Sequence, residues 1–543
     1  MQKKKAPIKS NKSKFSPNKT KIIIAIVAVI SLIAFIALYH KPDNFQNINN
    51  DANGSVDHVP TMESIGRGKV LASHYCSSCH MLPDPSLLNR TKWNNNVLPQ
   101  MGLRLGIREH QGYDYTVSVK APDLYVPEKP VLNGADWQDI IDYYVNTAPI
   151  NLPSQNRTVQ IERKMPFFSL ITPPTSFLSG KLLGCMVRID TTVKPVRIFV
   201  ANGVTKELFL LTNKLKIIDS VKTDGPVVDI LFDHVKTMIC TIGKELGGTS
   251  DKFGAINVLE ISKTGKMKID SVPLFTDLAR PVQILSADLN NDGLKDYLIC
   301  EFGNINGELC WMENKGAKGF TKHVIRPMPG AIKAYIDYSR NKNAPDLWVL
   351  FAQGEEGIYH FLNDGKGSFV QQRVLRFPPI YGSSFFEMVD INGDGFKDII
   401  YTCGDNGDLS AVKKPYHGVY IFLNDTHGKF VQKYFYPIDG CYKAYARDFS
   451  GNGRIDIATV SFFTDPRQPE EGFVYLRNTG GLNFEPYSLP AGTKFERGIT
   501  MDEGDLNGDG KPDLLIGNAF FDTGPFGYNQ KETLFFILKN KTR

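Results

Sequence analysis

Asp390-Ile391-Asn392-Gly393-Asp394-Gly395-Phe396-Lys397-Asp398 is the stretch from which the fold can be read, because the chain repeats it. The other copies run from Asp288 to Asp296 (DLNNDGLKD), from Asp448 to Asp456 (DFSGNGRID) and from Asp505 to Asp513 (DLNGDGKPD). Each places an oxygen-bearing side chain at positions 1, 3, 5 and 9 and a Gly at position 6. The candidate ligands are therefore Asp288, Asn290, Asp292 and Asp296; Asp390, Asn392, Asp394 and Asp398; Asp448, Ser450, Asn452 and Asp456; and Asp505, Asn507, Asp509 and Asp513. Oxygen donors closing on a sharp turn suit a hard cation, and calcium is the natural guest. An EF-hand needs Glu at position 12, where these loops have Ile299, Tyr401, Thr459 and Ile516. That reading fails, and up to four structural calcium ions in another setting are expected.

Each loop runs into an apolar, β-prone segment such as Tyr297 to Cys300 or Leu514 to Ile516. An Asn- and Gly-containing turn ending in Phe follows, at Asn314 to Phe320, Asn363 to Phe369, Asn424 to Phe430 and Asn478 to Phe484. These are hairpin signals, so each unit holds several antiparallel strands. Weakened copies lead with Asp190, Asp233 and Asp337, and the seven leading Asp residues recur every 43 to 58 residues. Four-stranded units at that period predict an all-β, seven-bladed propeller over residues 165–543. The cation loops make this region resemble FG-GAP/VCBS repeat propellers, as in integrin α-subunit heads and many bacterial surface proteins. The resemblance implies that the calcium ions staple blades. Long connections at 405–418, 464–471 and 522–530 are candidates for a recognition surface, with solvated spacers as the alternative. Cys185, Cys240, Cys300, Cys310, Cys403 and Cys441 read as buried thiols, with a Cys300–Cys310 bridge as the alternative.

The chain of 543 residues is long enough for three or four structural units, and 42% hydrophobic residues exclude a mainly disordered chain. Its net charge of +6 comes from eight lysines in residues 1–21; the remainder carries −2, which gives no reason to expect nucleic acid as a partner. Ile22 to Tyr39 form an apolar run behind that basic tail, long enough as a helix to span about 27 Å. The positive-inside bias then predicts a single-pass anchor in a bacterial inner membrane with the carboxy-terminal bulk in the periplasm. A cleaved signal peptide is the alternative. Residues 40–62 read as a flexible linker.

Cys76-Ser77-Ser78-Cys79-His80 follows. Two thiols two residues apart can add to the two vinyl groups on one porphyrin edge, and the next residue then offers an imidazole to the iron. A zinc site would need two more nearby ligands, yet the next Cys is Cys185. One covalent haem c is therefore expected at Cys76 and Cys79, with His80 as proximal ligand. Met101, between Pro99 and Gly102 in an expected non-helical stretch, is the candidate distal ligand; His74 and His110 compete. Residues 63–150 resemble the cytochrome c family, including a final helix with Trp137 and the Tyr143-Tyr144 pair, which implies a small all-α electron-transfer domain.

The fold class expected overall is thus multidomain: a transmembrane helix, a small all-α cytochrome c domain and an all-β propeller. The function expected is single-electron transfer to a redox partner protein or membrane electron carrier, with the propeller docking a protein or polysaccharide. A propeller dehydrogenase and an adhesion scaffold are the alternatives. The first would require a catalytic cluster, and no Asp/His/Arg group stands out for general-base chemistry.

Overall fold

The computed structural model describes residues 58–118, 124–173, 182–233, 236–407, 410–493, 495, 497–520 and 533–542. It is predominantly β. Strands fall into seven four-stranded antiparallel groups that follow one another along the chain, and the arrangement is β-propeller-like. The innermost strands of these blades are Leu182–Asp190, Val227–Phe232, Pro281–Ala287, Ala331–Asp337, Ser383–Val389, Cys441–Arg447 and Gly498–Gly504. Each contacts the next, and the last contacts the first, so the seven make a closed ring. The seventh blade is completed from the other end of its region: Phe168–Ile171 pairs with Phe535–Asn540 as the fourth strand. The second blade carries an additional strand, Phe275–Leu278.

The sequence logic of one blade shows why the repeat folds this way. The second strand of each acidic-loop blade is mainly apolar beyond its leading Asp because both of its faces are covered, and Asp398–Cys403 and Asp456–Ser461 are buried at every position. The outermost strand Phe369–Arg376 is largely exposed and carries Gln371, Gln372, Arg373 and Arg376, which protects an open edge from pairing.

Residues 59–150 pack on a core of their own. Helix α1, Met62–Tyr75, starts at a capping box between Thr61 and Ser64. Helix α2 is Leu98–Arg104, and helix α3, Gly134–Thr147, is capped by Asn133. Helices α1 and α3 cross at Gly68, where a Cβ would lie 1.8 Å from the Asp139 carbonyl oxygen. Arg67 Nε donates to Asp139 at 2.8 Å and Ser64 Oγ to Asp142 at 2.6 Å, pinning the crossing. Ala72, Leu88, Trp93, Leu98, Leu103, Trp137, Ile140 and Tyr144 fill the space beneath.

Two expectations are corrected here. The small, separate all-α cytochrome domain is not evident: among the described residues only α1 and α3 reach fourteen residues, a two-stranded ladder joins Glu109–His110 to Tyr113–Asp114, and the stretch belongs to the same compact unit as the sheets. The physical reason is that this small core is completed from outside, because Ile380 of the propeller packs on it and Tyr416 Oη donates to the Leu87 carbonyl at 3.0 Å. Secondly, no helix among the described residues is long and apolar enough to cross a membrane. The transmembrane element of the expected fold and the inner-membrane placement built on it therefore find no support in any described helix, and the run 22–39 lies outside the described residues.

Candidate functional site

Helix α1 delivers the first candidate group. Its last turn tightens into a 3-10 turn over Cys76–Ser78, which leaves Cys76 half-buried against the core and Cys79 exposed. Burial pushes the Cys76 thiol up to about 11. Neither thiol is in a disulfide. His80 Nδ1 lies 2.9 Å from the Met81 carbonyl oxygen. A carbonyl can only accept, so Nδ1 carries the proton and Nε2 the lone pair, the tautomer of a metal-ligating imidazole. Burial lowers the pKa of His80, which favours the neutral ring.

Met101 sits on α2, so the expected non-helical setting is corrected; Pro99 occupies the first turn, where its missing N–H costs nothing. Its side chain is half-buried against the same core as Cys76. One turn further, Arg104 is close enough to interact electrostatically with both Cys79 and His80. Arg104 thus places the end of α2 in the neighbourhood of the Cys-Ser-Ser-Cys-His turn. Of the competing ligands, His110 Nε2 is held by Gln138 at 2.7 Å, and His74 is exposed on α1. A cavity of about 620 Å³ lies beside this region, lined by Tyr75, Ile107, Arg108, Pro130 and Leu132; it does not include Cys79, His80 or Met101. The side chain of His80 also feels Glu355 and Arg376 of the fourth blade.

The four acidic loops share one geometry. At position 1, Asp390 Oδ1 accepts from the Asp394 amide at 3.0 Å and Oδ2 from the Gly395 amide at 2.7 Å; Asp288, Asp448 and Asp505 make the same pair of bonds. This winding needs left-handed backbone at position 6, where Gly293, Gly395, Gly453 and Gly510 have φ of 84°, 89°, 79° and 83°. Asn392 donates to Asp394 at 2.8 Å, and the matching Asn290–Asp292 and Asn507–Asp509 bonds are 3.1 and 2.9 Å. Positions 1, 3 and 5 therefore gather oxygen-bearing side chains at the surface, with no cationic side chain paired to their carboxylates among the described residues, a donor set that suits a hard cation.

Position 9 behaves differently. Asp296, Asp398, Asp456 and Asp513 are buried, and each uses both oxygens on backbone amides. Asp398 accepts from Ile391 at 3.1 Å and from Asn424 at 2.9 Å; the corresponding pairs are Leu289 and Asn314, Ser450 and Asn478, and Leu506 and Asn540. The ninth carboxylate is thus a clasp between the loop and the Asn-Gly turn, with only its remaining lone pairs free for a cation. Burial pushes Asp296 up to about 6, and burial also raises Asp398 and Asp513.

One loop residue was not anticipated. In the fourth blade, Asp337 pairs with Asp346, as Val389 pairs with Asp398, so Asp337 precedes its loop and does not lead it. The loop is 338–346, with only the ninth Asp kept. At position 3 stands Arg340, whose Nε and Nη2 donate to Asp346 at 2.7 and 2.6 Å. Aligning the repeats on the ninth Asp would have exposed this residue. The connection 405–418 also departs from expectation. Lys414 and His417 are buried, Lys413 pairs with Asp465, and Tyr416 holds Leu87, so its described part joins the propeller to residues 59–150. The connection 522–530 lies outside the described residues. All eight cysteines are free, and the Cys300–Cys310 alternative fails because Cys310 pairs with Ile299, leaving Cys300 on the opposite face.

Residues 342–401 match an FG-GAP-like repeat and residues 504–531 an FG-GAP repeat, and these stretches contain the acidic loops 390–398 and 505–513. The chain carries FG-GAP repeats. Neither FG-GAP stretch includes Cys76 to His80. No curated protein matches the chain. Among solved structures, the N-terminal domain of Nup159 aligns with 71% of this chain and 98% of its own, at 12% identity and a TM-score of 0.41, a likeness that carries no argument about function.

Proposed function

We propose that this is an electron-transfer protein that holds one covalent haem c at Cys76 and Cys79, with the FG-GAP propeller as the scaffold that docks a redox partner protein or another ligand. The observation that carries the reading is the tautomer of His80: its Nδ1–H is spent on the Met81 carbonyl, and among the described residues no protein group bonds to Nε2. Two unpaired thiols stand one turn away. The residues present therefore fit the group. Haem when bound would supply single-electron chemistry. His80 and Met101 are the side chains that would hold its iron, while Arg104 and Arg376 would provide positive charge near the site. Calcium in the four acidic loops has a structural role in this reading.

Mass spectrometry and visible spectroscopy of full-length protein from a host that matures c-type cytochromes test it. The expected result is a haem mass on the peptide containing Cys76 and Cys79, and a weak near-infrared sulfur-to-iron band lost in Met101→Ala. Bare thiols in such material would sink the proposal.

A further inference from the structure

The centre of the propeller carries a second constellation. All seven innermost strands have a register irregularity at the same place, after Gly184, Val227, Pro281, Ala331, Ser383, Cys441 and Gly498. The first residues beyond it, in blade order, are Met186, Asp229, Gln283, Lys333, Phe385, Lys443 and Thr500. Two residues on, the same faces present Arg188, Leu231, Leu285, Tyr335, Glu387, Tyr445 and Asp502. These side chains meet across the ring: Lys333 of the fourth blade and Lys443 of the sixth both interact electrostatically with Arg188 of the first and Asp229 of the second.

Most of these charges are already balanced. Arg188 pairs with Asp229 and, at 3.7 Å, with Asp502; Arg447 pairs with Glu387 and Glu503 at 2.7 and 2.9 Å. Asp229, Gln283, Glu387 and Asp502 also accept an amide from the next blade's inner strand, at Ile284, Ala334, Ala446 and Ile189. Lys333 and Lys443 stand apart. Both are only half exposed, neither forms an ion pair with a carboxylate among the described residues, and their ammonium groups flank the Phe385 ring at 5.5 and 5.3 Å from its centre. Each also lies over a tyrosine, Tyr335 at 4.7 Å and Tyr445 at 5.1 Å. Burial lowers the pKa of both, and for Lys443 to about 7 with Arg188 and Lys333 adding to the effect. Asp229 attracts both ammonium groups, Glu387 attracts Lys333 and Asp502 attracts Lys443, but none of these carboxylates pairs with them directly, so two half-buried like charges converge with room for a closer anionic partner.

We propose that the ring centre is a binding site for a small organic oxyanion, a carboxylate or phosphate carried on a flat apolar body, with Lys333 and Lys443 on the anion and Phe385, Tyr335 and Tyr445 against the body. Cation-π contacts hold the lysines in place while leaving their N–H donors for an oxyanion. The site stands whether or not Cys76 and Cys79 carry haem.

Titration calorimetry of the calcium-loaded full chain with benzoate and with phenyl phosphate, which share a ring and differ in headgroup, tests this. The expected result is saturable binding of at least one probe, weakened tenfold or more in Lys333→Met/Lys443→Met. The probe that binds identifies the headgroup. The anion-free double variant is expected to melt at the wild-type temperature or above, because it loses two unpaired cations. Failure of both probes to bind, or equal binding by the variant, overturns the proposal. A double variant that melts well below wild type without ligand would do so too, by showing that the ammonium groups hold the fold together.

Discussion

The loops 338–346 and 390–398 occupy the same place in neighbouring blades and end on the same buried Asp, yet they balance charge in different ways. In the second, Asp390, Asn392 and Asp394 gather oxygens at the surface, and no cationic side chain pairs with the two carboxylates among the described residues. In the first, Tyr338, Arg340 and Lys342 stand at positions 1, 3 and 5, and Arg340 reaches back to Asp346 with two hydrogen bonds. The guanidinium does from inside the chain what a metal ion would do from outside. The comparison separates two roles that the repeat pattern fuses. The ninth Asp is a clasp in both loops, since Asp346 accepts from the Asn363 amide at 2.8 Å just as Asp398 accepts from Asn424. The oxygen-bearing side chains at 1, 3 and 5 are the optional part, present in four loops and replaced by Tyr338, Arg340 and Lys342 in the fourth blade.

Removing the metal should give the largest effect. A cation at one hundred times its dissociation constant stabilises a folded protein by about 2.7 kcal/mol per site. With four loops, chelation should lower the melting temperature by about 10 °C, and added calcium should restore it. Calorimetry with and without chelator reads this directly, and an unchanged melt would mean that the acidic loops hold nothing. Next in size is Asp398→Ala, which orphans the buried Ile391 and Asn424 amides. It should cost about 3 kcal/mol by denaturant unfolding, and unlike a change at Asp394 it should cost nearly as much in chelator as in calcium. Arg340→Gln should cost about 1 kcal/mol, since half of the arginine side chain is in water and screening trims the pair. Its cost should be identical with and without calcium; a calcium-dependent cost would break the comparison.

The acidic loops and the hairpin landmarks were legible because oxygen ligands and left-handed Gly leave fixed spacings in a sequence. The roles inside the loops were not. A buried Asp at position 9 and an exposed one at position 5 are the same letter, and only the registers with Asn314, Asn424, Asn478 and Asn540 distinguish a clasp from a ligand. Arg340 was hidden because the repeat was anchored on its first Asp, which the fourth blade lacks. The central lysines were hidden for a topological reason: Lys333 and Lys443 are 110 residues apart and are brought together only when the ring closes. The expected separate helical domain failed because periodicity reports which face of a helix is apolar and is silent about what covers it. Here Ile380 and Tyr416 of the propeller share that task.

Acid gives the smallest and most selective test of the Arg340 loop. Burial alone would raise Asp346, but the two hydrogen bonds from Arg340, the Asn363 amide and the positive charge outweigh it and hold the carboxyl below its usual value. A group with a depressed folded-state pKa contributes stability above its unfolded value, about pH 4, and loses it as pH falls through the folded value. The stability gap between wild type and Arg340→Gln should therefore be full at pH 6 and should shrink as pH drops below about 4, read by urea unfolding at fixed ionic strength in chelator. Keeping metal out of the four acidic loops removes their own titration from the difference. If the gap were the same at pH 3 and pH 6, the guanidinium would be acting through packing alone and would not be the internal counterpart of a bound cation.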